Sequence, residues 1–426
     1  MKTRSRLVGT KRLLLTLLVC QGASFGAFAG PSHCKLLTAA RVFDGINPPQ
    51  ENMSVLVKGN RVQQVGSYDE LKSQCLVRIN LGDATILPGF IESHAHVTFQ
   101  DVRKDKVLEH GITTVQDTGG PLMPPQGGNG TLRLLSTGPI IQAEGGYPLN
   151  VFSHDGVGGY DRIGIGISPA ASETEVKDVV QHLVDGGATA VKIALEAGGE
   201  AGAPWMMPHG DHPIPAAPWP LLSLQQVQWI VAKAHELNRR VIAHVGEQQG
   251  FDLALSGGVD ELAHMPCAAI DEESLHEAVH AGMTFVTTID TLGSCAGIHA
   301  NAHALAHPMA DHGEYRFIYG SEVAHDNVPW GINGEEMHLM LHLTSGQATD
   351  FADVMNVMKS ATSEAGKRLG VHDQLGTLTP GAPADLIAVK GNPFERFKLL
   401  EYPDLVMSGG KLVVYKFRPA LGDHHR

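Results

Sequence analysis

Two histidines lie two residues apart near the end of the stretch Ile86-Leu-Pro-Gly-Phe-Ile-Glu-Ser-His-Ala-His-Val97. In an extended strand, residues i and i+2 face the same side, so His94 and His96 project together. Imidazole is the commonest protein ligand for zinc and similar metals. The chain holds 23 histidines, so a bare His-x-His pair arises by chance and needs partners. Partners exist. Ala190-Val-Lys-Ile-Ala194 sets Lys192 inside an apolar strand, where lysine is unusual and its charge is costly unless neutralised or paired. Val241-Ile-Ala-His244 and Glu261-Leu-Ala-His264 are apolar runs that each end in a histidine. One such histidine is more often a hydrogen-bonded core residue. Four at the ends of three strands make a poor coincidence. Acids that could carry protons follow in Gly320-Ser-Glu322 and, four residues on, Asp326.

These residues need a frame. Eight strand candidates run in order: 86–97, 113–118, 139–144, 190–196, 241–245, 261–265, 284–290 and 317–322. Helix patterns fall between several of them. Ser172-Glu-Thr-Glu175 and Ser223-Leu-Gln-Gln226 are capping boxes, in which side chains satisfy the orphan amides of a helix start. The first precedes Val176, Val179, Val180, Leu183 and Val184 on one face and stops at Gly186-Gly187. Alternating strands and helices predict a parallel α/β fold. Eight strands without a dinucleotide fingerprint favour a closed (β/α)8 TIM barrel, whose site lies at the C-terminal strand ends. Short β-rich segments flank the barrel on both sides, and Gly59-Asn60 reads as a two-residue hairpin turn. No Gly-x-Ser-x-Gly elbow is present, and no cysteine has a nucleophile's context.

"LPGFIESHAHV", "HGITTVQDTGG", "VKIALEAGG" and "GTLTPGAPADLIAVKGNPFE", in that order and spacing, resemble the amidohydrolase superfamily of metal-dependent hydrolases. The resemblance spans about residues 35 to 417 and is closest to the imidazolonepropionase-like branch with its prolidase-type dipeptidases. It implies a TIM barrel beside a small β-sandwich built from both chain ends. The expected division is a signal peptide over 1–29, sandwich over 30–87, barrel over 88–370, sandwich again over 371–417 and a tail over 418–426. It also implies two divalent metal ions. His94 and His96 would hold one and His244 and His264 the other. Lys192, converted by CO2 to a carbamate, would bridge them. Zinc is the default for such N/O ligands, with manganese, cobalt and iron as alternatives. Such cations acidify water, polarise a carbonyl and stabilise the oxyanion.

The eighth strand departs from the pattern. Most of the superfamily carries aspartate where this chain has Glu322, which is expected to act as ligand and proton carrier. Asp326 is the alternative acid. A second departure is Gly145-Gly-Tyr147, near which several relatives have a histidine. The implied function is hydrolysis of an amide or peptide C–N bond in a small molecule, a dipeptide or N-acyl amino acid. Cyclic amides, imides or lactones on the same metals, and a non-catalytic metal-binding relative, are the alternatives.

Composition bounds the partners. Lys2, Arg4, Arg6, Lys11 and Arg12 precede the apolar run Leu13 to Cys20, and Ala27-Phe28-Ala29 follows, so residues 1–29 read as a cleaved secretory signal. Cleavage leaves 27 basic against 45 acidic residues, a formal charge of −18. That excludes nucleic acid and an anionic membrane surface as expected partners, and leaves a small-molecule substrate. Relatives often assemble, so a homo-oligomer fits. A periplasmic or secreted location permits disulfides among Cys34, Cys75, Cys267 and Cys295. Cys34 and Cys75 share the small N-terminal unit and are the expected pair, against four unpaired buried thiols. Gly198–Pro220 and Gly293–Tyr315 are expected as long loops at the barrel mouth. Trp205, Met206, Met207 and Trp330 could line a substrate wall. The loop histidines His209, His212, His299, His303, His307 and His312 read as solvated, and the tail ending His424-His425-Arg426 as disordered.

Overall fold

A computed structural model describes residues 34–152, 162–198, 214–293, 295–323, 330–345, 348–371 and 373–417. The signal stretch, Asp326, Trp205, Met206, Met207, His209, His212 and the tail lie outside the described residues.

Among the described residues, eight parallel strands close a barrel. In chain order the first is Phe90–Ala95 and the second Ile112–Asp117. The fourth to eighth are Val191–Leu195, Val241–Val245, Glu261–Leu262, Thr284–Val286 and Phe317–Ile318. The third is made of two pieces. Thr131–Ser136 pairs with the second strand, and Ile140–Ala143 pairs with the fourth through Ile141 and Ile193. Its lower piece was not among the strand candidates. Thr137-Gly138-Pro139 interrupts the run, and Gly138 takes φ +69° there. The barrel closes where Ala95 bridges Val323 in parallel and the His96 N–H donates to the Val323 carbonyl at 3.1 Å.

The opening stretch is likewise two strands rather than the single 86–97 strand expected. Ala84–Pro88 belongs to the sandwich and Phe90–Ala95 to the barrel. Gly89 divides them, and a Cβ there would meet Thr113 at 2.1 Å. The sandwich joins both chain ends. Ala84–Pro88 pairs antiparallel with Leu386–Lys390 inside a six-stranded sheet. A four-stranded sheet orders Arg61–Ser67, Met53–Lys58, Cys34–Thr38 and Arg78–Asn80. Lys58 pairs with Arg61 across the two-residue turn, where Gly59 takes φ +59°. Leu37, Val55, Ile86, Leu386 and Met407 form the shared core.

Both capping boxes form. Ser172 caps Glu173–Asp185 and Ser223 caps Leu224–Glu236, each hydroxyl accepting the N–H three residues on. Val176, Val180 and Leu183 are buried against the barrel. The stretch expected as a loop over Gly293–Tyr315 is instead mostly the helix Gly297–His312. Ile298, Ala302, Leu305 and Met309 are buried at helical spacing while His299, His303 and His307 face out. Its glycine, proline and four histidines masked that period. Cys34 is bonded to Cys75, and Cys267 to Cys295. Among the described residues no helix is long and apolar enough to cross a membrane.

Candidate metal centre

The first strand delivers His94 and His96 to the barrel mouth, and the eighth delivers Glu322. Oε1 of Glu322 stands 3.9 Å from Nε2 of both His94 and His96. One ligand atom from each of the three lies within 4.8 Å of the others, a geometry that could hold a metal ion. Glu322 is 9% exposed and takes φ +54°, a left-handed conformation uncommon for a side chain of its size. Thr288, beyond the seventh strand, takes φ +45° and is fully buried. Backbone strain of this kind clusters at functional sites.

The fifth strand contributes His244, and His264 follows the sixth. Nδ1 of His244 and Nε2 of His264 lie 2.7 Å apart, so both nitrogens address one point. The His264 ring centroid is 5.7 Å from that of His94, which places this pair beside the first group. Nδ1 of His264 lies 3.2 Å from the Met265 carbonyl. Nδ1 of His94 lies 3.4 Å from the Thr118 hydroxyl. Both contacts occupy the nitrogen turned away from the centre, the arrangement that fixes a ligand imidazole's tautomer.

Lys192 is buried in the fourth strand at 1% exposure. Burial pushes its ammonium down to about 7, with the charges of Glu322 and Glu261 opposing. No carboxylate of the described residues comes within ion-pair distance of its Nζ. Burial and then Lys192 push His94 and His244 well below the usual imidazole range. Burial, His244 and Lys192 do the same for His264. Neutral imidazoles keep a lone pair for a cation. A cluster of nitrogen donors, a carboxylate and a lysine held near neutrality thus suits divalent metal.

Three further residues shape the centre. Glu196, at 1% exposure, lies 3.3 Å from Nε2 of His244, and burial pushes its carboxyl up to about 7 against the Gly198 amide. Its signal was present: it stands four residues after Lys192, one past the end of the strand, and keeps the same parity. Glu92 accepts from the backbone of His94 and Ser321. Tyr147, which stands near where several relatives have a histidine, stacks on His244 with centroids 4.5 Å apart, and Trp219 stacks on Tyr147 at 6.1 Å. Trp330 is 38% exposed.

The amidohydrolase family model matches residues 85–413. Over 253 residues the chain is 28% identical to an ochratoxinase of Aspergillus niger, covering 56% of this chain and 49% of that protein. The chain therefore spans about half the length of the curated relatives it matches. The crystal structure of A. niger ochratoxinase superposes with a TM-score of 0.68 at 19% identity, covering 93% of this chain and 99% of that one. A Xaa-Pro dipeptidase with methionine bound in its active site gives 0.68 at 20%, covering 89% and 99%. Molinate hydrolase gives 0.67 at 16%, covering 90% and 95%. At these identities the structural likeness shows the fold, a TIM barrel with a β-sandwich. The family match covers most of the chain and contains every residue of the cluster, so the chain belongs to the amidohydrolase family.

Proposed function

We propose that this chain is an exported metal-dependent hydrolase that cleaves an amide or peptide-like C–N bond in a small molecule, a dipeptide or an N-acyl amino acid. The observation that carries the reading is the convergence of His94, His96 and Glu322 beside the 2.7 Å pair of His244 and His264. His94, His96 and Glu322 would hold one divalent cation, zinc by default, and His244 and His264 the second. Lys192, kept near neutrality by burial, can attack CO2 through its amine nitrogen and lose a proton, giving a carbamate between the two. Bound there, divalent cations supply Lewis acidity toward water and the scissile carbonyl.

Glu322 is the proton carrier in this reading. Its carboxylate takes the proton of the attacking water and returns it to the leaving nitrogen. The neighbouring ochratoxinase and Xaa-Pro dipeptidase support hydrolytic chemistry. Residues 1–29 and two disulfides support export to an oxidising compartment.

Metal analysis of the mature protein prepared with bicarbonate, followed by turnover on dipeptides and N-acyl amino acids, tests this. Near two metals per chain and chelator-sensitive C–N cleavage are expected. Absence of metal after reconstitution would sink the reading.

A further inference from the structure

We infer that Glu196 is a positioning residue that sets the tautomer of His244, holding its hydrogen on Nε2 so that Nδ1 is left to a cation. The inference rests on the metal-dependent reading above. His244 has two ring nitrogens with different neighbours. Nδ1 stands 2.7 Å from Nε2 of His264, and that pair can meet only on a shared ligand or a shared proton. Nε2 stands 3.3 Å from Oε2 of Glu196. In its ionised form the carboxylate accepts and does not donate, so it selects the imidazole form that carries its hydrogen on Nε2.

The carboxylate is itself aimed. Its other oxygen, Oε1, accepts the Gly198 N–H at 2.7 Å. Gly198 takes φ +72°, and a Cβ there would meet the Trp219 ring at 2.3 Å, so the turn after the fourth strand is packed hard against that indole. The backbone N–H of Trp219 in turn donates to the Ala197 carbonyl at 2.6 Å. Tyr147 covers the face of the His244 ring, with an interplanar angle of 27°. Rotation of the imidazole is thereby blocked from one side while Glu196 sets its proton.

Among the described residues, the His244 imidazole is the sole basic group within ion-pair distance of Glu196. The carboxylate thus meets, among the described residues, a neutral imidazole and one amide, and a buried anion so held is costly. A cation on the far nitrogen of that imidazole supplies the missing charge through the ring, as in carboxylate–histidine–metal triads.

The test uses the full mature protein, stripped of metal and titrated with zinc against a chromophoric chelator. Glu196→Ala is expected to weaken the second zinc equivalent about 10–100-fold and leave the first nearly unchanged. Glu196→Gln keeps an acceptor oxygen and should fall between, and it is close enough in shape to serve if the alanine variant folds poorly. Nitrogen NMR of the labelled, metal-free protein should show His244 as the Nε2–H form in the parent and as a mixture in both variants. A merely structural glutamate would move neither readout selectively. The inference is overturned if both variants bind the second zinc within two-fold of the parent. A parent that binds fewer than two zinc ions overturns the metal reading and this inference together.

Discussion

Glu92 and Ser321 stitch the first barrel strand to the eighth. Both carboxylate oxygens of Glu92 accept the Ser321 N–H, at 2.9 and 3.1 Å, and Oε2 also accepts the Ser321 hydroxyl at 2.7 Å. The His94 N–H donates to the same carboxylate at 3.0 Å. One buried side chain thus spans the closing seam directly beneath His94 and Glu322. A Cβ on Gly320 would meet Val286 at 2.4 Å, so the crossing also needs that glycine.

Glu92→Ala should therefore loosen the centre from below. It strands two amides and a hydroxyl without water, and each unsatisfied buried group costs about 1–3 kcal/mol. Urea unfolding should show a loss of at least about 2 kcal/mol, and zinc held at His94, His96 and Glu322 should bind more weakly. Unchanged stability and affinity would show that the seam is held by the strand bridge at Ala95 alone.

A second device lies deeper in the barrel. Glu261 is fully buried and accepts from Nε of Arg368 at 2.5 Å, while Arg240 stands 3.4 Å away. Arg368→Leu removes one cation and leaves the carboxylate underpaired in a dry interior. Breaking a buried pair from one side typically costs about 3–5 kcal/mol. Denaturant titration of the variant measures this, and a loss below about 1 kcal/mol would mean that Arg240 suffices.

Glu336 makes stability depend on pH. Burial pushes its carboxyl up to about 7, with bonds from Thr287 and from the amides of Ile289 and Asp290 opposing. The folded state thus binds the proton more tightly than the unfolded chain, whose carboxyl titrates near 4.5. Its contribution is full below pH 4.5 and is lost as pH rises through 7. Integrated, that shift corresponds to about 3 kcal/mol. Glu336→Gln should gain on the parent by up to that amount between pH 5 and pH 8, whatever its constant offset. A pH-independent difference between the two would refute the assignment.

Much of this centre could be read in advance because it follows strand parity. His94 and His96 share a face, and His244 and His264 close apolar runs, so the sequence exposes them one strand at a time. The sandwich was legible through the Gly-Thr-Leu segment that begins at Gly376. Glu196 obeys the same parity as Lys192 but looked like a strand terminus. The bond between Cys267 and Cys295 depends on where a loop and a helix start meet, which spacing does not encode. The helix Gly297–His312 was hidden because its buried face is carried partly by alanine, whose small side chain gives a weak period. The first piece of the third strand, Thr131–Ser136, escaped the reading because Gly138-Pro139 reads as an end rather than a bend.

In the proposed function, the acid beyond the eighth strand carries the proton. Oε1 of Glu322 is equidistant from the two first-strand histidines, 3.9 Å from each Nε2. Glu322→Asp restores the acid common in the superfamily but withdraws the carboxylate by about 1.5 Å, one carbon–carbon bond, from both. Metal should still bind, while kcat should fall, by about 10-fold or more, because proton transfer demands hydrogen-bond reach. Glu322→Gln keeps the length and removes the base, so kcat should fall about 10²–10⁴-fold with KM little changed. Steady-state kinetics on the best substrate of the panel separates the two effects, length from basicity. Should Glu322→Gln retain turnover while Asp326→Asn abolishes it, the proton carrier is Asp326, and Glu322 serves only to hold metal.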